Sequence, residues 1–150
     1  MKRILFYLPL ILLVSFSCQK PNKPSPSPTP NVNVYFQIDV STPLYSPIEN
    51  EGGFVYIKGG NNGILLLQDF NGTFRAFDDS CPYNATTQCG TLRLAESGLY
   101  IICGSYSGNT INPCGPSTWN LDGTVRTGPA TLPLKAYKVT QSGTILTISN

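Results

Sequence analysis

Four cysteines in one stretch of the chain are the residues best suited to chemistry. They are Cys81, Cys89, Cys103 and Cys114, and the chain contains no histidine. Four thiols can hold a metal ion or an iron–sulfur cluster, or they can close two disulfides. The lack of histidine excludes Ser–His and Cys–His catalytic pairs, because both use an imidazole as the general base. We therefore expect a metal, cluster or disulfide site and no catalytic residue, so that the chain is not itself an enzyme.

The fifth cysteine, Cys18, follows a segment that is typical of export signals. Residues 1–3 read MKR, and residues 4–14 are apolar. Crossing a bilayer takes about 20 apolar residues, so this shorter run predicts a signal peptide over residues 1–17. The serine directly before Cys18 resembles the lipobox of bacterial lipoproteins, in which the cysteine is acylated and becomes the first residue. We expect lipidation of Cys18; the alternative is an ordinary secretory signal that leaves a free thiol.

A proline-rich segment follows Cys18. Residues 21–30 contain five prolines, which favour extended polyproline geometry and make a semi-rigid spacer. Residues 18–32 are therefore predicted to tether a domain to a membrane. No acidic run of the kind that resembles a surface-export signal follows Cys18. The periplasmic face of the bacterial cell envelope is thus favoured over the cell surface.

The charge of the chain argues against nucleic acid as a partner. The formal net charge is +2, and removal of Lys2 and Arg3 with the signal leaves a neutral chain. Domains that bind nucleic acid concentrate basic residues on one face, and this sequence shows no basic stripe. The predicted partners are the membrane, through the lipid, and another protein.

Residues 33–150 are predicted to form one all-β domain. Short runs of β-branched and aromatic residues alternate with turn signals, and no long helical periodicity is evident. The predicted strands cover residues 34–38, 54–57, 64–70, 73–77, 91–94, 99–103, 119–121, 124–126, 135–140 and 144–148. Hairpin turns are indicated at Asn71-Gly72, Asp122-Gly123 and Ser142-Gly143. The pattern is typical of a small antiparallel barrel or sandwich.

Residues 80–121 differ from the strands around them. Two segments in this region, residues 81–89 and 103–118, are rich in Gly, Pro, Asn, Ser and Thr and are predicted to be irregular loops. Each segment carries two of the four cysteines. A loop-rich insertion of this kind buries little apolar surface, so we expect it to need covalent or metal staples.

Two neighbouring acids, Asp78 and Asp79, come just before Cys81. Adjacent side chains on a strand point to opposite faces, so the two carboxyl groups are not expected to share a proton. Asp78 is predicted to accept backbone hydrogen bonds at the entrance to the first loop. Residues 59–63 (GGNNG) are predicted to be a turn, because neither a helix nor a lysine follows as in a phosphate-binding loop.

Three motifs resemble those of Rieske [2Fe–2S] domains. Residues 74–83 (FRAFDDSCPY) resemble the strand that enters the first cluster loop. Residues 119–125 (WNLDGTV) are similar to the segment that leaves the second loop, and residues 128–134 (GPATLPL) to the stretch that comes next. The resemblance implies an all-β, antiparallel barrel or sandwich of the Rieske type. Residues 80–121 would be its inserted, cluster-binding-like subdomain.

The ligands of a Rieske cluster are only partly present. The family binds its cluster with Cys-x-His in the first loop and Cys-x-x-His in the second. Cys81 and Cys103 match the two cysteines, whereas Tyr83 and Tyr106 stand at the histidine positions. A competing alignment places Cys114 at the end of the second loop. A histidine-ligated centre is therefore excluded, and the tyrosines are expected to fill the volume of the imidazoles; the alternative makes them phenolate ligands or redox-active side chains.

Three outcomes remain open for the four loop cysteines. The first is a cluster-free scaffold with two disulfides, which the oxidising conditions met by an exported protein favour. The resemblance suggests Cys89 with Cys114, which would leave Cys81 to bond with Cys103, but four cysteines allow three pairings and the sequence does not choose among them. An all-cysteine [2Fe–2S] cluster would have Cys81 and Cys103 as its first candidate ligands. The third outcome is a structural zinc site, although the close cysteine pairs of zinc knuckles are absent.

We favour the cluster-free interpretation, because histidine is missing and the cysteine spacings are wider than those of ferredoxin motifs. The predicted function is that of a membrane-tethered, disulfide-stapled binding or accessory module. The alternative is an electron-transfer protein that carries an all-cysteine cluster. The protein partner would be an oxidoreductase or another cell-envelope protein.

Overall fold

The computed structural model describes residues 29–83 and 90–150. Its elements are β1 (Tyr35–Asp39), a short 3-10 helix (Ser46–Glu49), β2 (Phe54–Ile57), β3 (Ile64–Gln68), β4 (Phe74–Asp78), β5 (Leu92–Leu94), β6 (Ile101–Ser107), β7 (Thr110–Trp119), β8 (Val125–Thr127), β9 (Ala136–Ser142) and β10 (Ile145–Ser149). The predicted signal peptide, Cys18, most of the predicted tether and Cys89 lie outside the described residues. No helix in the described ranges is long and apolar enough to cross a membrane.

The strands in the described part of the chain form two antiparallel sheets. The six-stranded sheet has the order β1-β10-β9-β4-β3-β2, and the four-stranded sheet has the order β5-β6-β7-β8. The four-stranded sheet is inserted in the chain between β4 and β9, which pair with each other in the larger sheet. The predicted all-β fold with an inserted subdomain is confirmed.

Strand β3 contributes to two hydrophobic cores that the described residues form. Its first four residues are apolar and completely buried. Because side chains alternate along a strand, Leu65 and Leu67 enter one core, and Ile64 and Leu66 enter the other. The first core also contains Phe77, Leu92, Leu94, Ile101 and Trp119; the second also contains Ile38, Ala76, Leu146 and Ile148. Burial of each large apolar side chain contributes roughly 1.5–3 kcal/mol to the stability of the fold. Because β3 buries side chains in both cores, it joins the two halves of the molecule.

Two predicted hairpin turns use the same local chemistry. In the β3–β4 turn, Asp69 Oδ1 accepts a hydrogen bond from the Asn71 N–H (3.0 Å), and Gly72 has a φ of 74°. In the β7–β8 turn, Asp122 Oδ1 accepts a hydrogen bond from the Thr124 N–H (2.9 Å), and Gly123 has a φ of 85°. Both positive φ values favour glycine because it has no Cβ. The hairpins predicted at these sites are confirmed.

Residues 103–118 form most of a β-hairpin, so the prediction of an irregular loop there is wrong. Strand β6 pairs with β7 from Ile101 opposite Trp119 to Ser107 opposite Thr110, with one register shift between Ile102 and Gly104. The composition of the segment reports only local preference, whereas strand pairing depends on tertiary contacts.

Glycine and proline fit this hairpin because of where their backbone groups point. The Gly104 N–H donates to the Thr91 carbonyl (2.9 Å), and the Thr91 hydroxyl donates to the Gly104 carbonyl (2.7 Å). Gly104 therefore bonds toward β5 and makes no backbone bond to Pro113, which lies opposite it in β7. Strand β8 pairs only with Thr118 and Trp119 of β7. The missing N–H of Pro113 thus costs no ladder bond.

Candidate functional site

The disulfide between Cys81 and Cys103 lies at the junction of the two sheets. Cys81 follows β4 of the six-stranded sheet, Cys103 lies in β6 of the four-stranded sheet, and their Cα atoms are 5.6 Å apart. The two residues are 0% and 4% exposed. The Cys81 N–H donates to the Gly90 carbonyl (2.7 Å), and Cys103 lies opposite Leu92 in β5. This pairing is the one that the resemblance to Rieske domains implied for a cluster-free scaffold.

Cys114, in β7, is also disulfide-bonded. Its predicted partner, Cys89, lies outside the described residues. All three cysteines of residues 29–83 and 90–150 are therefore in disulfide bonds.

Tyr83 packs against the core that contains the disulfide. It follows Cys81 by two residues and is partly buried. Its ring also lies over β7, because a Cβ placed on Gly115 would be 3.7 Å from the Tyr83 Cε1 atom. This position suits the volume-filling role expected for Tyr83. Tyr106, in contrast, is outside this core and is 49% exposed.

Tyr106 contacts a cation from the neighbouring strand. The guanidinium carbon of Arg93, in β5, lies 5.0 Å from the centroid of the Tyr106 ring and 4.9 Å from that of Tyr56. Arg93 Nη1 also donates a hydrogen bond to the Leu92 carbonyl. The two cation–π contacts connect β2, β5 and the β6–β7 hairpin. Burial raises the pKa of Tyr56 to about 12, so this phenol is neutral at physiological pH.

Asp79 is the acid that pairs with Arg93. Its Oδ1 accepts a hydrogen bond from the Leu92 N–H (2.6 Å), and its Oδ2 lies 3.5 Å from Arg93 Nη1. Burial raises the pKa of Asp79 to about 6, although the Leu92 N–H and the Arg93 charge favour the carboxylate. The nearby charge of Asp78 adds to the rise. The Asp79 carboxyl therefore changes its charge just below neutral pH.

Asp78 has a separate set of partners. It is completely buried, and its Oδ2 accepts hydrogen bonds from the Asn61 N–H (2.8 Å) and the Tyr137 hydroxyl (2.6 Å). The predicted backbone hydrogen bond to Asp78 is confirmed, and residues 59–63 form a turn beside it, as predicted. Burial, reinforced by Asp78, raises the pKa of Tyr137.

The sequence analysis singled out Asp79 and Tyr106, but it did not predict that they meet Arg93 and Tyr56. One signal was present, since Arg93 stands between two leucines in a short apolar strand, where a charge requires a partner. Its partner, Asp79, is distant in sequence and could not be chosen by spacing.

The fold is similar to that of a solved Rieske protein. The match is to the cyanobacterial plasma membrane Rieske protein PetC3 from Synechocystis PCC 6803, with a TM-score of 0.51 and 18% sequence identity. The similarity covers 79% of this chain and 98% of that chain. This chain has a Rieske-type fold. No protein-family model matches the sequence, and a sequence search of curated proteins finds no match.

The residues that the sequence resemblance matches to Rieske ligands do not fit a Rieske cluster. Such a cluster needs two cysteine thiolates and two histidines. Here the sulfur atoms of Cys81 and Cys103 are bonded to each other, and the sequence has no histidine. Among the residues that the structure describes, no group of three or more Cys, Asp or Glu side chains could hold a metal ion.

Proposed function

We propose that this chain is a membrane-tethered Rieske-type domain without a cluster, which acts as a binding or accessory module in the bacterial cell envelope. The observation that carries the proposal is the disulfide between Cys81 and Cys103, the two cysteines that the sequence resemblance matches to cluster ligands of the family. A sulfur atom in a disulfide has no thiolate charge to give to iron. Both residues are buried in an apolar core, so reduction requires that the core open first.

The groups around the disulfide support a structural role for this region. Arg93 is held by Asp79 and by two tyrosine rings, and Asp79 accepts the Leu92 N–H. These contacts and the disulfide together hold the β6–β7 hairpin against β5 and β2. The hairpin then presents a surface that includes the exposed ring of Tyr106. A surface of fixed shape is what a binding module requires.

The proposed location follows from the first residues of the chain. Residues 1–17 would direct export, Cys18 would carry the lipid, and residues 18–32 would hold the domain away from the membrane. The similar protein PetC3 is described as a plasma membrane protein, which supports a place in the cell envelope. The partner would then be another envelope protein, an oxidoreductase included.

Purification of the full chain without air tests the missing cluster. We expect colourless protein without stoichiometric iron, because the sulfurs at the ligand positions are bonded to each other. Under denaturation, a thiol reagent should label none of the four loop cysteines before reduction and all four afterwards. The mass of the same protein reports whether Cys18 carries acyl chains.

Brown protein with about two irons per chain would overturn the proposal and identify an electron carrier. In that case the colour should be lost in Cys81→Ser. The variant Ser107→Ala, at an exposed position of the same hairpin, serves as the matched control and should keep it.

A further inference from the structure

The two edge strands of the six-stranded sheet line a common groove. Strands β1 and β2 stand at opposite ends of the strand order. Residues 36–38 of β1 and residues 55–58 of and after β2 nevertheless line the same cavity of about 690 Å³, together with Leu44 and Tyr45. The sheet therefore curls until its two edges approach each other without pairing. We call this cavity the edge groove.

Part of the β1 backbone is directed away from its neighbour β10. The Asn150 N–H donates to the Val34 carbonyl (3.3 Å), and the Val40 N–H donates to the Thr144 carbonyl (2.9 Å). Because backbone bonding alternates along an antiparallel pair, the even-numbered residues of β1 bond to β10. The N–H and C=O of Gln37 therefore point to the open edge.

The backbone of β2 shows the same alternation. The Gln68 N–H donates to the Gly53 carbonyl (3.0 Å), so the odd-numbered residues of β2 bond to β3. Phe54 and Tyr56 then turn their backbone groups to the open edge. Unpaired strand edges of this kind are templates for the addition of another strand.

The side chains of the edge groove are mostly apolar, with a cation at one end of β2. Phe36, Val55 and Ile57 pack on the core beneath the groove, and Leu44 is 73% exposed beside it. Lys58 follows β2, is exposed and lines the groove. No carboxylate of residues 29–83 or 90–150 forms an ion pair with Lys58.

We propose that the edge groove binds an extended segment of a partner protein, which adds as a strand to β1. The segment would place apolar side chains on the groove floor and an acidic group near Lys58. Main-chain hydrogen bonds would supply affinity, and the side-chain contacts would supply specificity. The inference rests on the proposed role as a binding module and names the chemistry of its partner.

The predicted tether of this chain is a poor occupant of the edge groove. Residues 21–30 contain five prolines, and proline has no N–H to donate to a strand. A second copy of the chain would have to dock one of its own edge strands in the groove. Lys58 of each copy would then face a groove that also carries a lysine, and the two like charges would repel. An acidic partner segment would bond to the unpaired backbone groups of the edge strand and would form an ion pair with Lys58.

Binding can be measured with a defined peptide and the full lipidated chain in nanodiscs. The probe is a labelled peptide in which valine and threonine alternate over six residues before a terminal glutamate. Its fluorescence anisotropy should rise to saturation with the chain and not with empty nanodiscs. In NMR spectra of isotope-labelled protein, the backbone amide signals of Gln37 and Tyr56 should shift in proportion to the fraction of protein with bound peptide.

Two substitutions at Gln37 separate the backbone from the side chain. Gln37→Pro removes the N–H that points to the groove and leaves the pairing with β10 intact, so it should weaken peptide binding by about tenfold or more. Gln37→Ala keeps that N–H and should change the affinity by less than about twofold. Lys58→Glu should weaken binding of this peptide and strengthen binding of one that ends in lysine.

Three results would overturn the docking proposal. The first is the absence of saturable binding, or equal binding by Gln37→Pro and Gln37→Ala. The second is a shift of the Gln37 and Tyr56 amides with protein concentration alone, which identifies a second copy as the occupant. The third is a shift of the same amides on deletion of residues 19–28, which identifies the tether. Protein that lacks iron and binds no peptide would contradict the docking proposal and leave the proposed function standing. Brown protein that binds the peptide would contradict the proposed absence of a cluster and leave the docking proposal standing.

Discussion

Asp79 and Arg93 form an ion pair in a largely buried setting, where removal of charge from water competes with the attraction between the charges. Their side chains are only 9% and 14% exposed. Attraction to Arg93 and the hydrogen bond from Leu92 favour the ionised acid, yet burial prevails and the pKa of Asp79 rises to about 6. The pair therefore fixes the position of Arg93 under its two tyrosine rings without a large gain in stability at neutral pH.

The pH dependence of unfolding should reveal this balance. The folded-state pKa of about 6 lies above the ordinary value of 3.8, so the folded protein binds this proton more tightly than the unfolded chain does. The stability that Asp79 contributes is therefore complete below about pH 4 and is lost as the pH rises through 6. Urea unfolding from pH 4 to 7 should show this decline in the wild type and not in Asp79→Asn.

Asp122 provides a control of opposite sign. Its hydrogen bonds with Thr124 lower the pKa of Asp122, so its contribution to stability is present above about pH 4 and is lost as the pH falls through its folded-state pKa. The free energy of unfolding of Asp122→Asn should therefore increase less than that of the wild type when the pH is raised. An Asp79 carboxyl carbon that titrates near pH 4 by NMR would contradict the account of the ion pair.

At the scale of elements, the β6–β7 hairpin depends on a close approach of its two strands. A Cβ on Gly104 would lie 2.8 Å from the Asn112 carbonyl oxygen and 3.2 Å from the Ile111 side chain. The first of these contacts is with backbone, which cannot move aside as a flexible side chain can. The close contact with β7 is thus the reason that position 104 requires glycine. Its own backbone conformation is not, because the φ of Gly104 is not in the left-handed region.

Gly104→Val should destabilise the protein by about 1–3 kcal/mol, because the added side chain must push β7 away from β6. Urea denaturation measures the loss, and hydrogen exchange should show it first in the amides of β6 and β7. Gly108→Asn is the matched control at the tip of the same hairpin. Gly108 has a φ of 61°, and a Cβ added there would meet nothing within 4 Å among the described residues; asparagine tolerates that conformation. Equal losses for the two variants would exclude the close approach as the cause.

Elements with a local signal were predictable, and elements held by distant contacts were not. Strands β2, β3 and β4 follow from short apolar runs and from the Asn71-Gly72 turn, because those signals lie within the segments themselves. The pairing of β6 with β7 depends on which backbone groups of Gly104 and Pro113 face a neighbour, and composition does not report this. The cysteines that the motifs match to Rieske ligands were visible from the sequence. Asp79 and Arg93, in contrast, meet only after the six-stranded sheet, which contains β4, has packed against the four-stranded sheet, which contains β5.

At the scale of the whole molecule, one core connects the two sheets. Leu65 and Leu67 of the six-stranded sheet belong to the same cluster as Trp119 of the four-stranded sheet, and the disulfide between Cys81 and Cys103 lies in that cluster. Among residues 29–83 and 90–150, the inserted sheet therefore has no hydrophobic core separate from that of the larger sheet. Its stability should be coupled to that of the larger sheet.

Removal of the disulfide tests this coupling. The double variant Cys81→Ala, Cys103→Ala should lose about 3 kcal/mol, because the bond closes a loop with a sequence separation of 22 residues. The shared core should nevertheless keep unfolding cooperative. Trp119, the single tryptophan of the chain, is completely buried and donates its indole N–H to the Leu132 carbonyl (3.0 Å), so its fluorescence reports on the inserted sheet.

We expect the transition followed by Trp119 fluorescence and the transition followed by far-ultraviolet circular dichroism to have the same urea midpoint in the double variant, and to shift together from the wild type. Coincident transitions are the mark of one cooperative unit. If the fluorescence midpoint instead falls below the circular dichroism midpoint, the inserted sheet unfolds first and the disulfide, not the shared core, provides the connection. The core that Leu65, Leu67 and Trp119 share argues for the first result, since the inserted sheet cannot open without exposing the apolar face of β3 to water.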